Sequence, residues 1–286
     1  MTFDHIRLDR DGSVATLTLD SPSTRNALWF GEGSIREEIV AACAQCEADL
    51  AVKSILIDAA GEDFCAGANL KKTAPRTSPL EQEAFFARST RFLEALRETS
   101  KPVVAAVQGR CLGAGLGLIA QCDLVVAAED ARFGLVEGPL GLPGASELVP
   151  IIGPAWAKYL IFTGDLISAA QAREIGLVFA TVPPAMLAEA SRDLAERIAR
   201  APGPSTQLNK RGINAVSEAL GHRAGPRAAQ AYSALTAEAA ATALAADGRP
   251  FRQILAHDGI SGLRKFRPAE TWIAAWPVNR GGSAPS

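Results

Sequence analysis

Apolar and polar positions alternate with period two in IRLDRDG and again in SVATLTLD, and the two runs meet at Asp11-Gly12. Such alternation marks strands with one buried face, and the Asp-Gly junction marks a hairpin turn. SPSTRNALW then leads into a helix running to about Asp49, and the short apolar run SILIDAA reads as a strand. The loop FCAGANL, residues 64 to 70, follows it. Beyond a linker containing Lys and Pro, the positions Phe85, Phe86, Phe92, Leu93 and Leu96 predict an amphipathic helix from about Leu80 to Thr99. KPVVAAV is a strand, QGRCLGAG a loop, LGLIAQC a short helix and DLVVAA a further strand. TGDLISAAQAREIGLV carries its own boundaries: Ser168 as N-cap, Gln171 as capping-box partner and Gly176 as stop. From Pro183 onward the chain is Ala-rich and helical, with breaks near Pro202 to Pro204 and Gly221 to Pro226, and NRGGSAPS reads as a frayed tail.

The order strand, small-residue loop, helix occurs twice, at FCAGANL and at GRCLGAGLG. Two similar layers stacked on each other would bring their glycine-rich turns together, in an α/β fold. The composition suits a globular chain: 286 residues, 48% hydrophobic, 21% charged, net charge −2. Scattered basic residues and a slightly negative balance argue against a nucleic-acid partner. MTFDHIRLDRDG lacks the apolar region of a secretory signal, and no run is long enough for a membrane span, so a cytoplasmic location is expected. Five cysteines, an odd number, point to reduced thiols, and CAQC at 43 to 46 lacks the further ligands a zinc site requires. No metal is expected.

A glycine-rich turn that feeds a helix leaves backbone N–H groups without partners, and these can bind an anion or an oxygen that becomes anionic. LGAGLG lacks the Gly-Lys-Ser/Thr ending of a nucleotide-phosphate loop and the spacing of a dinucleotide fingerprint. Either loop alone reads as a packing turn. Two of them, from adjacent layers, suggest a pair of donors for one oxygen: an oxyanion hole.

From about Ile6 to Phe266 the sequence resembles the crotonase, or enoyl-CoA hydratase/isomerase, superfamily. The resemblance rests on SPSTRNAL, FCAGANL, KPVVAAVQGRCLGAGLGL, CDLVVAAEDARFGLVEGPLGLPGA, TGDLISAAQAREIGLV and GLRKFRP, in that order. It implies a spiral of ββα units forming a catalytic core over residues 1–200, a helical C-terminal oligomerisation region over 201–270, and a flexible tail over 271–286. It also implies an acyl-CoA substrate, no cofactor beyond the coenzyme A of that substrate, and a homotrimer or dimer of trimers. By the same resemblance, Ala68 and Ala114 donate the two N–H groups to the thioester oxygen, with Ala66 and Gly67 shaping the approach of the coenzyme.

Hydratases of the family resemble one another in carrying two glutamates. Here the first position is Gly117 and the second is Glu137, so one carboxylate is missing. Glu137, in a turn of small residues, is the expected acid/base, with a desolvated carboxyl. The segment LPGASELVPIIG is shorter than the family's and carries Ser146-Glu147 where the family tends to have Gly-Gly-Thr-Gln-Arg. Glu147 is either a substitute carboxylate or a surface residue at a helix start. Arg110 could pair with a carboxylate, with an acidic acyl chain, or simply end a strand at the surface. Arg25, Lys71, Lys72, Lys265 and Phe266 occupy regions that line the coenzyme in the family. One carboxylate favours double-bond isomerisation, with hydration next, then hydrolysis or C–C cleavage. A binding protein that kept the fold and lost turnover is the alternative from another class, and the retained Glu137 argues against it.

Overall fold

The computed structural model of the protein describes residues 2–69, 78–144, 146–222, 224–251, 253–254, 257–258, 262 and 271–275. Strands β1 (Ile6–Asp11) and β2 (Val14–Leu19) form the expected hairpin, paired from Ile6↔Leu19 to Asp11↔Val14. Gly12, at φ +59°, opens its two-residue turn, a conformation that costs glycine nothing. The next strands, β3 (Ser54–Ala59), β4 (Val103–Val107), β6 (Leu124–Ala128) and β9 (Ala180–Val182), add in parallel to give the order β1-β2-β3-β4-β6-β9. A second sheet joins β5 (Arg110–Leu112), β7 (Arg132–Gly134) and β8 (Leu166–Ser168).

Parallel strands covered on both faces read as continuous apolar runs, and every residue of VVAAV in β4 is buried. Alternation then divides the core. Leu56, Val104, Ala106, Val126 and Ala128 point to one side, where Leu187, Ala195 and Ala199 of α7 (Leu187–Ala199) cover them. Ile55, Ile57, Val103, Ala105 and Val107 point to the other, toward Ile35, Ile39 and Ala42 of α1 (Ile35–Ala48) and Phe92, Leu93 and Leu96 of α3 (Arg91–Glu98).

Three local expectations need correcting. The helix after SPSTRNALW begins only at Ile35, where Ser34 Oγ accepts a hydrogen bond from the Glu37 amide at 3.4 Å. The stretch before it holds a 3₁₀ turn, Pro22–Thr24, and an extended bridge at Leu28. The helix expected from Leu80 to Thr99 is two, α2 (Pro79–Ser89) and α3, because the Leu93 amide bonds to Thr90 O while Ser89 O is taken by the Arg36 guanidinium. QGRCLGAG is not all loop, since β5 lies inside it. The capping box at Ser168 and Gln171 forms as expected and starts α6 (Ala169–Glu174), and Gly176 takes φ +83° after it.

The C-terminal helices α8 (Gly203–Ala219) and α9 (Ala224–Thr242) break where the proline and glycine clusters predict. Lys210 of α8 is buried, and its Nζ donates to Asp123 Oδ2 at 2.7 Å and to Lys101 O at 3.0 Å. Asp123 Oδ2 also accepts from the Val103 amide at 2.7 Å, so this ion pair ties α8 to the start of the central strand. The described first residues of the expected tail include a short helix, Trp272–Ala275, with the Trp272 amide on Asp165 Oδ2 at 3.0 Å. Among the described residues no helix is long and apolar enough to cross a membrane.

Removing one partner of a buried ion pair strands the other. Lys210→Met, which keeps the apolar stem, is expected to lower the unfolding free energy by about 1–3 kcal/mol, because Asp123 remains partly solvated and keeps its Val103 bond. Urea denaturation of the two proteins measures it; an unchanged midpoint would show that the tie contributes nothing.

Candidate active site

The site begins with a backbone turn that side chains rarely tolerate. Arg25 and Asn26 both take left-handed conformations, φ +54° and +53°. Asn26 is fully buried: its Oδ1 accepts from the Ser21 amide at 2.8 Å, while its Nδ2 donates to Ala60 O at 2.8 Å and Asp63 O at 3.0 Å. A short amide side chain suits this conformation and completes the missing backbone bonds. The turn carries Arg25 O to the Ala66 amide at 2.9 Å and brings Leu28 alongside the FCAGANL loop.

Leu28 bridges Ala68 in parallel fashion: its N–H donates to Gly67 O at 2.8 Å and its carbonyl accepts from the Asn69 amide at 3.1 Å. In such a bridge the bonds straddle the central residue, whose own N–H and C=O turn away from the partner. The Ala68 amide therefore faces away from Leu28 and has no hydrogen-bond partner among the described residues.

The other side of the loop meets the second glycine-rich turn. Cys65 bridges Cys111 in parallel, with the Cys65 amide on Arg110 O at 3.0 Å and the Leu112 amide on Cys65 O at 2.9 Å. Gly67, at φ +93°, lies so close that a Cβ there would stand 3.0 Å from Leu112 O. A Cβ on Gly115 would stand 2.9 Å from the Cys65 Cβ. The two loops thus dock backbone to backbone. Gly113, the N-cap of α4 (Ala114–Ile119), leaves the Ala114 amide at the open end of the helix, also without a hydrogen-bond partner among the described residues.

Glu137 stands over the same turn. The Gly113 amide donates to Gly134 O at 2.9 Å, which fixes the end of β7 to the α4 loop three residues before the glutamate. A Cβ on Gly113 would lie 2.9 Å from Glu137 Oε2, and one on Gly144 would lie 3.0 Å from Oε1, so the carboxylate rests between two bare Cα atoms. Its Oε2 is shielded from solvent. Gly117 is different: a Cβ there would meet only Leu93, at 3.8 Å, an ordinary contact with an apolar side chain.

Glu147 precedes α5 (Val149–Thr163), as the helix-start reading required, and is half-buried. Burial pushes its pKa up, against the hydrogen bonds of its own backbone and Ser146 and the positive field of Arg36. Arg110 sits at the exposed start of β5, with Nη1 4.0 Å from Asp63 Oδ2, and Arg25 Nε lies 3.7 Å from the same oxygen. Pro22, Arg25, Gly61 and Asp63 line a shallow cleft beside the first loop. Lys71, Lys72, Lys265 and Phe266 lie outside the described residues.

The thiols are inert by position. Burial pushes Cys65 to about 11, Cys43 to about 12 and Cys46 to about 11, far from the thiolate form that nucleophiles and metal ligands need. Among the described residues no cluster of three or more His, Cys, Asp or Glu is placed to hold a metal. Asp63, Gly134, Gly144 and Arg36 belong to this neighbourhood and were not singled out from sequence; the αL-tolerant Asn26 in SPSTRNAL was the one signal that could have marked the turn.

A six-stranded sheet, a small second sheet and two docked glycine-rich loops make up the crotonase fold. A solved enoyl-CoA hydratase/isomerase from Xanthobacter autotrophicus Py2 superposes with a TM-score of 0.84 at 28% identity, covering 94% of this chain and 98% of that one. The short-chain-enoyl-CoA hydratase of Clostridium acetobutylicum is 32% identical over 219 residues, 75% of this chain and 82% of that relative. The (E)-benzylidenesuccinyl-CoA hydratase of Thauera aromatica is 32% identical over 210 residues, 72% and 80% respectively. The family model for enoyl-CoA hydratase/isomerase matches residues 9–246, and the chain belongs to that family of enzymes.

Glycine at 113 and at 117 should respond oppositely to one methyl group. Gly113→Ala forces a side chain into φ +50°, ψ −117° and against the carboxylate, so it is expected to cost about 1–3 kcal/mol and to displace Glu137. Gly117→Ala fills open space in a helix and should be neutral or gain up to about 1 kcal/mol. Thermal melts of both variants decide the matter, and equal effects would contradict the geometry.

Proposed function

We propose that the protein is an acyl-CoA enzyme that stabilises a thioester enolate with the Ala68 and Ala114 amides and moves protons with Glu137, favouring double-bond isomerisation. The observation that carries this reading is the placement of one shielded carboxylate against Gly113, one residue before the Ala114 amide, which has no hydrogen-bond partner among the described residues. When a base removes a proton next to a thioester, negative charge moves to the carbonyl oxygen. Two fixed N–H donors stabilise it without reorganising, and loss of one such donor costs on the order of 3 kcal/mol.

Isomerisation needs no second carboxylate. Glu137 takes a proton from the α-carbon of a 3-enoyl thioester, the electron pair delocalises through a dienolate onto the carbonyl oxygen, and the same carboxyl returns the proton to the γ-carbon. Adding water across a 2-enoyl double bond also requires a group to hold and deprotonate that water. At the helix position where hydratases resembling this chain carry that group stands Gly117, facing Leu93. No metal or separate cofactor is invoked; coenzyme A arrives with the substrate. Arg25, 62% exposed at its side chain, offers one cation to the coenzyme's phosphates at a cleft that Glu62 and Asp63 also line.

Hydration is the second reading, favoured by Glu147. A carboxyl whose pKa is raised by burial holds its proton closer to neutrality, as a general acid must. The relatives compared above carry hydratase names, in keeping with this alternative.

Assays of 3-enoyl-CoA isomerisation and 2-enoyl-CoA hydration at matched chain lengths separate the two. The isomerase rate is expected to exceed the hydratase rate, and Glu137→Gln is expected to lower kcat for both by about 100-fold or more while acyl-CoA still binds. Hydration that dominates in the native protein and vanishes in Glu147→Gln would sink the preference for isomerisation.

We further infer that the protein is a trimer or dimer of trimers. Leu208, Ile213 and Val216 of α8 and Leu220 at its C-cap are 65%, 69%, 67% and 80% exposed, apolar surface that a second copy would cover. Sedimentation is expected to give the mass of three or six chains; a stable monomer at micromolar concentration would count against it.

A further inference from the structure

We propose that Arg36 is a positioning residue for the reaction: its buried guanidinium holds the Leu28 carbonyl, and through Leu28 it fixes the direction of the Ala68 amide. The proposal rests on the reading of Ala68 as an oxyanion donor.

Arg36 lies in the first turn of α1, where a cation opposes the helix dipole and would ordinarily turn to solvent. Instead the residue is 8% exposed. Its Nη1 donates to Ser89 O at 2.5 Å, and its Nε and Nη2 both donate to Leu28 O at 3.4 Å. Its face lies 4.0 Å from the centre of the Phe30 ring and 4.8 Å from that of Phe92. Desolvating a guanidinium is costly, and its hydrogen-bond partners among the described residues are neutral carbonyls and ring faces. Burial accordingly lowers its pKa, while the Cys65 thiol and Glu147 act in the opposite sense.

What the buried charge does locally is specific. Leu28 O receives the two Arg36 donors and the Asn69 amide together, while the Leu28 N–H holds Gly67 O. These bonds bracket Ala68 and set which way its N–H points. The same guanidinium takes Ser89 O at the break between α2 and α3. Two segments, the Leu28 bridge and the α2–α3 break, are therefore referenced to one planar group on α1, and a planar fork with several donors serves both better than an ammonium.

Arg36→Met keeps the length and the apolar stem and removes every donor; Arg36→Lys keeps the charge and can hold one carbonyl. The decisive readout is the absorption band of bound 3-phenylpropenoyl-CoA, whose conjugated thioester shifts to longer wavelength when its carbonyl accepts strong hydrogen bonds. The native protein is expected to shift the band, Arg36→Met to lose most of that shift, and Arg36→Lys to lose part of it. Alongside, kcat should fall about tenfold or more in Arg36→Met with KM held within about threefold, the pattern of a lost transition-state interaction. A purely structural role would lower the melting temperature and leave the band of the folded fraction in place, which would overturn the proposal alone. A native protein that binds the probe without any shift would remove the oxyanion reading and this proposal with it. Should Arg36→Met not fold, Arg36→Lys decides: a full shift with native kcat overturns the proposal, and a partial shift with reduced kcat supports it.

Discussion

Everything at the site depends on two backbone segments lying closer together than side chains permit. Gly67 against Leu112, Gly115 against Cys65 and Gly113 against Glu137 are three contacts in which a single added methyl would meet a heavy atom at 3.0 Å or less. Such closeness has a chemical result: the turns that carry the Ala68 and Ala114 amides, neither with a hydrogen-bond partner among the described residues, meet with no large side chain between Gly67 and Leu112. The same closeness seats the carboxylate on the turn that offers one of those groups. Donors carried by backbone, unlike donors on side chains, need no rotamer frozen to hold their direction.

Around this contact the protein spends its buried charges as ties between distant segments. Lys210 and Asp123 join a C-terminal helix to the start of the central strand, and Arg36 joins the Leu28 bridge to the α2–α3 break. Neither is a simple surface ion pair. Each reaches backbone groups that packing leaves over, so buried polar atoms are satisfied while chain segments are held in register. Asn26 does the same with a neutral amide in a left-handed turn.

Much of this could be read from the chain. The hairpin at Gly12, the parallel strands and the capping box at Ser168 announce themselves through local chemistry, and local chemistry is what a sequence displays. The two loops were legible because glycine in a strand-to-helix turn has few reasons to be there. What escaped is set by tertiary contact. A three-residue strand such as β5 has too few positions to show alternation. Helices α2 and α3 share one hydrophobic period, and only the Arg36 bond to Ser89 explains why they part. An arginine in the first turn of an amphipathic helix reads as solvent-facing; burial reverses that.

Helix α2 consorts with α9 of the C-terminal region, and Phe85 of α2 meets Phe30 with ring centres 4.6 Å apart. Phe30 also lies against the Arg36 guanidinium, which holds both Leu28 O and Ser89 O, so this aromatic contact and the docking of the loops share one buried cation. An exchange of bulk at Phe30 or Phe85 would therefore be felt at Leu28 as well as between the helices. In this architecture a change of shape in the C-terminal half carries mechanically into the first loop, because one planar cation is the shared hinge pin of both.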